Sequence, residues 1–251
     1  VGVIGGTGSG KSSLVNMIAR FYDATEGEVK INGRNVKEYN IESLRNHVAV
    51  VMQKALLFKG SIRDNMKWGK KDATDDEIME ALDISQSREF VEKKDGKLDA
   101  FIDQGGKNLS GGQRQRIGIA RALIMNPDLI IADEAISALD VSIQAQVVNL
   151  MKKMQKETGA AYLFIAHDLS MVKYISDRIG VLHLGHLVET GTADEIFSNP
   201  LHPYTRSLLS AIPHSNPRVE KVRKSFSYDY ETSGLDYAAG TQHQITDTHF
   251  V

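Results

Sequence analysis

The stretch Gly5-Gly6-Thr7-Gly8-Ser9-Gly10-Lys11-Ser12 fits the pattern Gly-x-x-x-x-Gly-Lys-Ser at every defined position. The apolar run Val1-Gly2-Val3-Ile4 precedes it and favours a short buried strand. Residues 13–21 carry apolar side chains at helical spacing, so a helix is predicted to begin at Lys11. A glycine-rich turn between a strand and a helix predicts a phosphate-binding loop, because backbone N–H groups and the helix dipole then face one anion.

Each residue type in this loop has a predicted role. Gly5 to Gly10 are expected to hold phosphates through backbone amides, and Lys11 is expected to reach the β- and γ-phosphates. The Ser12 hydroxyl is a candidate ligand of Mg²⁺, and Ser13 is counted with the nucleotide-binding residues. The loop therefore predicts ATP and Mg²⁺ as ligands, and a glycine-rich turn with an exposed lysine is the weaker alternative.

The bulk composition is that of an ordinary soluble globular protein. The chain has 251 residues, 41% of them hydrophobic and 25% charged, with a net charge of −2. Such a charge gives no basic field for nucleic acid, so nucleic acid is not expected as a partner. The chain has no cysteine, which fits a reducing compartment. No run reaches the ~18 apolar residues of a membrane span, so a membrane role is expected to come through a partner.

Strand and helix patterns alternate along the chain. Buried strands are predicted at 47–52, 129–132 and 162–166, helices at 110–125 and 141–155, a capped helix from Thr74, and hairpins at Asn32-Gly33 and Gly185. Apolar strands alternating with helices predict an α/β fold, with a mostly parallel sheet, a small antiparallel β unit and an inserted helical subdomain at about 54–125.

The domain prediction has two parts. Residues 1–213 form the predicted nucleotide-binding domain, and because Val1 already lies in a strand we expect its N-terminal strands to be missing. Residues 214–251 are rich in Ser, Thr, Asp, Tyr and Gln with little apolar periodicity. They predict a C-terminal extension that is partly disordered in isolation.

Four polar residues follow predicted buried strands and are expected at one sheet edge. Asp133 is the predicted Mg²⁺ partner, and Glu134 is the predicted general base for the attacking water. Gln53 is expected to bond that water or complete the Mg²⁺ shell, and His167 to donate to the γ-phosphate. A helix N-cap is the alternative for the acidic pair, and a purely structural role is the alternative for Gln53 or His167 taken alone.

A second glycine-rich helix start follows at Leu109-Ser110-Gly111-Gly112-Gln113. It is an anion-binding geometry, and its duplication favours the nucleotide of a second chain. Periodicity alone leaves a plain turn open.

Taken in order, these motifs resemble the complete set of the ATP-binding cassette ATPases over about residues 1–212. The set comprises the phosphate loop, Gln53, residues 109–113, Asp133-Glu134, Ser137-Ala138-Leu139-Asp140 and His167. The resemblance implies a head-to-tail homo- or heterodimer, in which Ser110, Gly111, Gly112 and Gln113 contact the partner's ATP and Asp140 lies at the interface. It also implies an active ATPase, because Glu134 and His167 match the hydrolysis-competent pattern.

Two regions resemble different subfamilies. Residues 53–109 resemble multidrug-type exporters, and residues from about Asn126, including 141–146 and 199–205, resemble the ATPases of oligopeptide/dipeptide importers. A chimera joined near 118–128 is one interpretation of this mosaic. In the family the adenine stacks on an aromatic residue upstream of the phosphate loop, and no aromatic residue precedes Gly5.

The resemblance implies a subunit at the cytoplasmic face of the membrane that drives oligopeptide or dipeptide uptake by ATP hydrolysis. Transmembrane permease subunits are the expected partners, received by a groove in the helical segment 54–108. One alternative is the nucleotide-binding domain of a multidrug or lipid exporter. Another is a soluble cassette ATPase without a transport role, and a third is an ATP-binding module without turnover.

Overall fold

The structure is a computed structural model that describes residues 1–137, 139–212 and 226–251. The chain divides into two compact units. The first unit joins Val1–Leu14 to Phe164–Val251, and the second unit is Val15–Leu163.

Strands and helices alternate along the chain, which confirms the predicted α/β class. The strands are β1 Gly2–Ile4, β2 Lys30–Ile31, β3 Arg34–Asn35, β4 Val48–Val51, β5 Gly60–Ser61, β6 Phe101–Ile102, β7 Leu129–Asp133, β8 Ala161–Ile165, β9 Arg178–His183 and β10 His186–Thr192. The α-helices are α1 Lys11–Ile18, α2 Ile41–His47, α3 Ile62–Lys67, α4 Asp75–Ile84, α5 Arg88–Glu92, α6 Gly111–Leu123, α7 Val141–Thr158, α8 Leu169–Ile175, α9 Ala193–Ser198, α10 Pro203–Ser210 and α11 Tyr230–Ser233.

In the first unit, β1 is a central strand with parallel neighbours. Gly2 lies opposite Phe164 of β8 and Ile179 of β9. β9 and β10 form the antiparallel hairpin predicted around Gly185. Its turn residues Leu184 and Gly185 have φ of 49° and 82°, as a type I′ turn requires. The parallel pairing of β1 explains its continuous apolar sequence, because both of its faces are covered.

The first unit packs α8 directly against β1. A Cβ on Gly2 would lie 2.5 Å from a methyl group of Val172, so glycine is the residue that permits this approach. Ile4, Ile165 and Val181 are fully buried beside it. Burying one such side chain stabilises the fold by about 1.5–3 kcal/mol, so this layer holds the short strand β1 in place.

In the second unit, β4 and β7 pair in parallel over four residues, with Val51 opposite Ala132 at the end of the register. The small antiparallel unit is the β2–β3 hairpin. Its turn residues Asn32 and Gly33 both have positive φ, of 51° and 77°, which confirms the type I′ turn that the dipeptide predicts.

Helices α3 to α6 of the second unit surround one apolar core. Its largest fully buried members are Leu57, Ile62, Met66, Ile78, Leu82, Ile102 and Ile117. A capping box at Thr74 and Glu77 begins α4, as predicted, and a second one at Ser61 and Asp64 begins α3. Each cap satisfies N–H groups that would otherwise lack a partner, and such a cap is typically worth about 1 kcal/mol.

Helix α1 is shorter than its apolar periodicity indicates, since it ends at Ile18. Arg20 adopts φ of 50°, and its N–H donates to the Met17 carbonyl at 3.1 Å. The Phe21 N–H donates to the Asn16 carbonyl at 2.8 Å. These bonds form a Schellman motif with arginine where glycine is usual. The left-handed residue turns the chain away, so Phe21 follows the helix instead of extending it.

The predicted C-terminal extension is described from Phe226 onward, and the prediction for residues 214–225 lies outside the described residues. Thr190 of β10 and Phe250 exchange backbone hydrogen bonds of 2.9 and 2.8 Å. Glu189 and His249 pair at 2.7 Å with both side chains almost fully buried. The last residues of the chain therefore pack on β10.

Candidate functional site

The glycine-rich loop of the first unit is a close-packed turn between β1 and α1. Gly8 and Gly10 have φ of 78° and 98°, a conformation that side chains rarely adopt. A Cβ on Gly5 would lie 2.2 Å from the Leu182 carbonyl oxygen and 2.7 Å from the Ser9 hydroxyl. The loop thus depends on glycine both for its backbone angles and for its contact with the end of β9.

The Lys11 ammonium lies inside this turn. It donates to the carbonyl oxygens of Gly5 and Gly6, each at 2.8 Å, and to the Ser9 hydroxyl at 3.3 Å. The residue is only 7% exposed, so its charge is held in place by these oxygens. A fixed cation at the N-terminus of an eight-residue helix favours binding of an anion there.

The remaining predicted residues of the first unit are exposed. Thr7 and Gly8 form the outer part of the turn, and Ser12 and Ser13 lie on the first turn of α1. His167 is exposed after the end of β8. The next residue, Asp168, caps α8 by accepting the Ser170 N–H at 2.9 Å, so this short segment is anchored directly after His167.

In the second unit the structure brings Gln53 and Glu134 together. The Gln53 side-chain amide donates to a Glu134 carboxylate oxygen at 2.6 Å. The contact follows from the parallel pairing of β4 and β7, because Gln53 comes two residues after β4 and Asp133 is the last residue of β7. Glu134 has φ of 52°, and its carbonyl accepts from the Ser137 N–H at 3.1 Å. The carboxylate therefore extends from a strained turn residue, which is common at functional sites.

The second glycine-rich segment, residues 109–113, lies at the N-terminus of the 13-residue helix α6 in the second unit. Ser110 and Gln113 form a capping box, in which each side chain accepts the other's N–H at 3.1 Å. Ser110 and Gly111 are exposed, and Leu109 is buried beneath them. This helix start is therefore a surface feature, as contact with another molecule requires.

Asp140 is the N-cap residue of α7 by its backbone, and its carbonyl accepts from the Gln144 N–H at 2.8 Å. Its side chain is exposed and makes no capping bond, so Asp140 is accessible at the start of the helix. Ala138, between Ser137 and Leu139, lies outside the described residues.

Sequence reasoning missed Gln115, which joins α6 to the segment around Gln53. The Gln115 side chain is 2% exposed, accepts from the Ala55 N–H at 3.1 Å and donates to the Met52 carbonyl at 2.8 Å. A Cβ on Gly118 would lie 2.6 Å from the Ala55 Cβ, so this segment lies directly on α6. The signal available in the sequence was the position of this glutamine on the apolar side of an amphipathic helix.

These local features define a class of protein. A strand, a glycine-rich loop with a buried lysine, and a helix form the phosphate-binding start of a P-loop nucleotide-binding fold. Across the described ranges, no helix combines the length and apolar character of a membrane span.

Comparisons with known proteins place the chain within that class. The family model for ABC transporters matches residues 1–137, and the model for the C-terminal region of oligopeptide/dipeptide transporters matches residues 188–231. The oligopeptide transport ATP-binding protein OppF of Bacillus subtilis (strain 168) is 48% identical over 265 residues, which span 100% of this chain and 84% of the relative. The dipeptide transport ATP-binding protein DppF of Lactococcus lactis subsp. cremoris (strain MG1363) is 42% identical over 100% of this chain and 82% of the relative.

A solved structure is similar as well. A bacterial Atm1-family ABC exporter with ATP bound matches with a TM-score of 0.74 and 32% identity, over 78% of this chain and 34% of the exporter chain. The chain belongs to the ABC transporter family, and it is an ATP-binding ATPase of that family. The full-length matches run across residues 118–128, and the interpretation of a chimera joined there stays a prediction.

Proposed function

We propose that this protein is the ATP-hydrolysing subunit of an oligopeptide or dipeptide uptake system. The observation that carries the proposal is the match of residues 188–231 to the C-terminal region of oligopeptide/dipeptide transporters. The names of the relatives that are 42–48% identical over the whole chain support the same substrate class.

The phosphate loop is proposed to hold the ATP phosphates. Gly5, Gly6, Thr7, Gly8, Ser9 and Gly10 would form the turn around the phosphates and bind them through backbone N–H groups other than that of Gly6, which bonds the Tyr204 hydroxyl. Lys11, Ser12 and Ser13 would lie at the helix start. The observed burial of the Lys11 ammonium among three oxygen atoms supports this assignment, because an anion entering the turn meets a cation already in place.

The proposed ligands of Mg²⁺ are Ser12, Gln53 and Asp133. A hydroxyl, an amide oxygen and a single carboxylate are hard oxygen donors, and this donor set fits Mg²⁺, which retains most of its waters and takes few protein ligands. When bound, the ion neutralises charge on the phosphates.

The chemistry is proposed to depend on Glu134 as the general base. The Gln53 amide donates to one carboxylate oxygen and so orients the group, and an oriented carboxylate can accept a proton from water. His167 is proposed to donate to the γ-phosphate. Its exposed position after β8 leaves it accessible for that contact.

The proposed assembly is a head-to-tail dimer of two cassette subunits on the cytoplasmic face of the membrane. Ser110, Gly111, Gly112 and Gln113 would contact the nucleotide held by the partner, and Asp140 would lie at the dimer interface. The surface position of this capped helix start supports the assignment. Transmembrane permease subunits complete the proposed transporter, and no nucleic acid is involved.

A second candidate is the nucleotide-binding domain of an exporter. The observation that favours it is the likeness to the Atm1-family exporter, at 32% identity and a TM-score of 0.74. The two candidates differ in the membrane subunits that should stimulate ATP hydrolysis.

The test is reconstitution with the membrane subunits and peptide receptor of a peptide importer. We expect peptide with its receptor to raise ATP hydrolysis, and Glu134→Gln to lower it at least ~100-fold while ATP still binds, because a positioned base contributes about that factor. Stimulation only by the membrane subunits of an exporter, in a parallel reconstitution, would favour the second candidate. Equal hydrolysis by wild type and Glu134→Gln would remove Glu134 from the mechanism.

A further inference from the structure

Tyr204, from the C-terminal part of the chain, contacts the glycine-rich loop. Its hydroxyl accepts the Gly6 N–H at 2.6 Å, a bond between residues 198 positions apart. The tyrosine lies in the first turn of α10, which begins with Pro203 at a favoured position. His202 caps this helix, because its Nδ1 accepts the Tyr204 N–H at 3.1 Å. The orientation of the tyrosine backbone is therefore determined by the helix start.

The contact completes the bonding of one peptide group in the loop. The carbonyl of the Gly5–Gly6 peptide accepts from the Lys11 ammonium at 2.8 Å, and its N–H donates to the Tyr204 hydroxyl. The same ammonium also bonds the Gly6 carbonyl at 2.8 Å. Consequently, Tyr204 and Lys11 hold the same peptide from opposite ends, and a change at one alters the geometry available to the other.

The Tyr204 ring is itself held by an aromatic cluster that we define as Tyr204, His183, Tyr228 and Tyr237. His183, the last residue of β9, stacks on Tyr204 with ring centroids 3.8 Å apart and an interplanar angle of 23°. The His183 Nδ1 lies 2.7 Å from the Tyr237 hydroxyl, which lies 3.2 Å from the Tyr228 hydroxyl. Burial lowers the pKa of His183, which favours the neutral ring, and a neutral ring stacks without the cost of a buried charge.

The hairpin that carries His183 also touches the loop. The Gly185 N–H donates to the Ser9 carbonyl at 2.9 Å. The aromatic cluster thus connects residues 226–251 to the loop through β9 and α10, all within the first unit.

We infer that Tyr204 is a positioning residue of the phosphate loop and that docking of the C-terminal region is thereby linked to ATP binding. The inference rests on the proposed binding of ATP by this loop. Tyr204 acts through the Gly5–Gly6 peptide and Lys11. Because linkage is reciprocal, ATP stabilises the docked C-terminal region as much as docking favours ATP.

The test is Tyr204→Phe in the full chain, which keeps the ring and removes one oxygen. We expect the dissociation constant of ATP, measured by calorimetric titration, to rise about fivefold, the size of one net hydrogen bond. We expect kcat at saturating ATP to change less than ~2-fold, because the chemical groups are untouched. Amide hydrogen exchange should become faster in residues 1–14. ATP should slow exchange in residues 226–251 of the wild type, and do so less in the variant.

Tyr39→Phe is the matched control, because the Tyr39 hydroxyl donates to the Ile31 carbonyl at 2.9 Å in the second unit. It loses a hydroxyl bond as well and should leave ATP affinity unchanged. Equal effects of the two variants would overturn the inference.

Lys11→Ala separates the two proposals. Unchanged ATP binding in Lys11→Ala would overturn the proposed ATP site itself. A second outcome would overturn only the role of Tyr204. In that outcome Lys11→Ala loses ATP binding, while Tyr204→Phe keeps the wild-type ATP affinity and the wild-type amide hydrogen exchange of residues 1–14. If Tyr204→Phe does not fold, Tyr237→Phe removes the bond to His183 one step away. We expect Tyr237→Phe to lower the affinity for ATP about twofold. An unchanged affinity would contradict the linkage between ATP binding and docking of the C-terminal region.

Discussion

Gln115→Leu removes an amide that joins helix α6 to the segment carrying Gln53. Leucine keeps the volume of the side chain and loses both of its hydrogen bonds, to the Ala55 N–H at 3.1 Å and the Met52 carbonyl at 2.8 Å. The site is 2% exposed, so water cannot replace the amide from inside the fold.

The magnitude follows from the two backbone groups that lose their partner. Leaving a buried donor or acceptor unpaired costs about 1–3 kcal/mol. Met52 is 55% exposed and Ala55 is half-buried, so water reaches part of each group and the lower end of that range applies. We therefore expect the free energy of unfolding to fall by about 2 kcal/mol for the two groups together.

The same change should reduce hydrolysis. Gln53 lies between Met52 and Ala55 and bonds Glu134 at 2.6 Å, so a looser segment orients the carboxylate less well. We expect kcat to fall about tenfold, the equivalent of ~1.4 kcal/mol in the barrier. Urea unfolding measures the stability, and phosphate release at saturating ATP measures kcat.

Asn65→Leu is the control. Asn65 is 1% exposed, and its amide accepts from the Phe58 N–H and donates to the Phe58 and Ser61 carbonyls, at 2.8, 2.9 and 3.0 Å. It should destabilise the protein to a similar degree and leave kcat near the wild-type value. If both variants have the same kcat, Gln115 has only a structural role and the reasoning is refuted.

Two further predictions concern the first unit. Gly5→Ala should weaken ATP binding at least ~10-fold, because its Cβ would lie 2.2 Å from the Leu182 carbonyl oxygen; wild-type affinity in calorimetric titration would contradict this. Hydrogen bonds from the Thr246 hydroxyl, the Thr192 N–H and the Thr248 hydroxyl lower the pKa of Glu195 from 4.5 to about 2. Since the folded-state pKa is depressed, the stabilisation is complete above pH 4.5 and is lost as pH falls towards 2. Pepsin should therefore cleave residues 226–251 of the wild type faster at pH 2 than at pH 4. The cleavage rate of the wild type divided by that of Glu195→Gln should be higher at pH 2, and an equal ratio at the two pH values would exclude Glu195 as the cause.

The sequence alone determined the features that depend on neighbouring residues. Positive φ at Gly8 and Gly10 requires residues without a side-chain penalty, and the same argument predicts the turn at Asn32-Gly33. The capping box at Thr74 follows from one turn of helix, because the bonded groups are three residues apart. The mostly parallel character of the sheet was accessible too, since buried parallel strands have continuous apolar sequences.

Tertiary structure alone decided the contacts between distant segments. Gln115 bonds residues 60 and 63 positions away, and Tyr204 bonds a residue 198 positions away. Each of these bonds requires two separately folded elements to come within 3.1 Å, and no local pattern encodes that approach. The catalytic role of His167 and the interface role of Asp140 stay predictions, because they concern groups that bind from outside the chain.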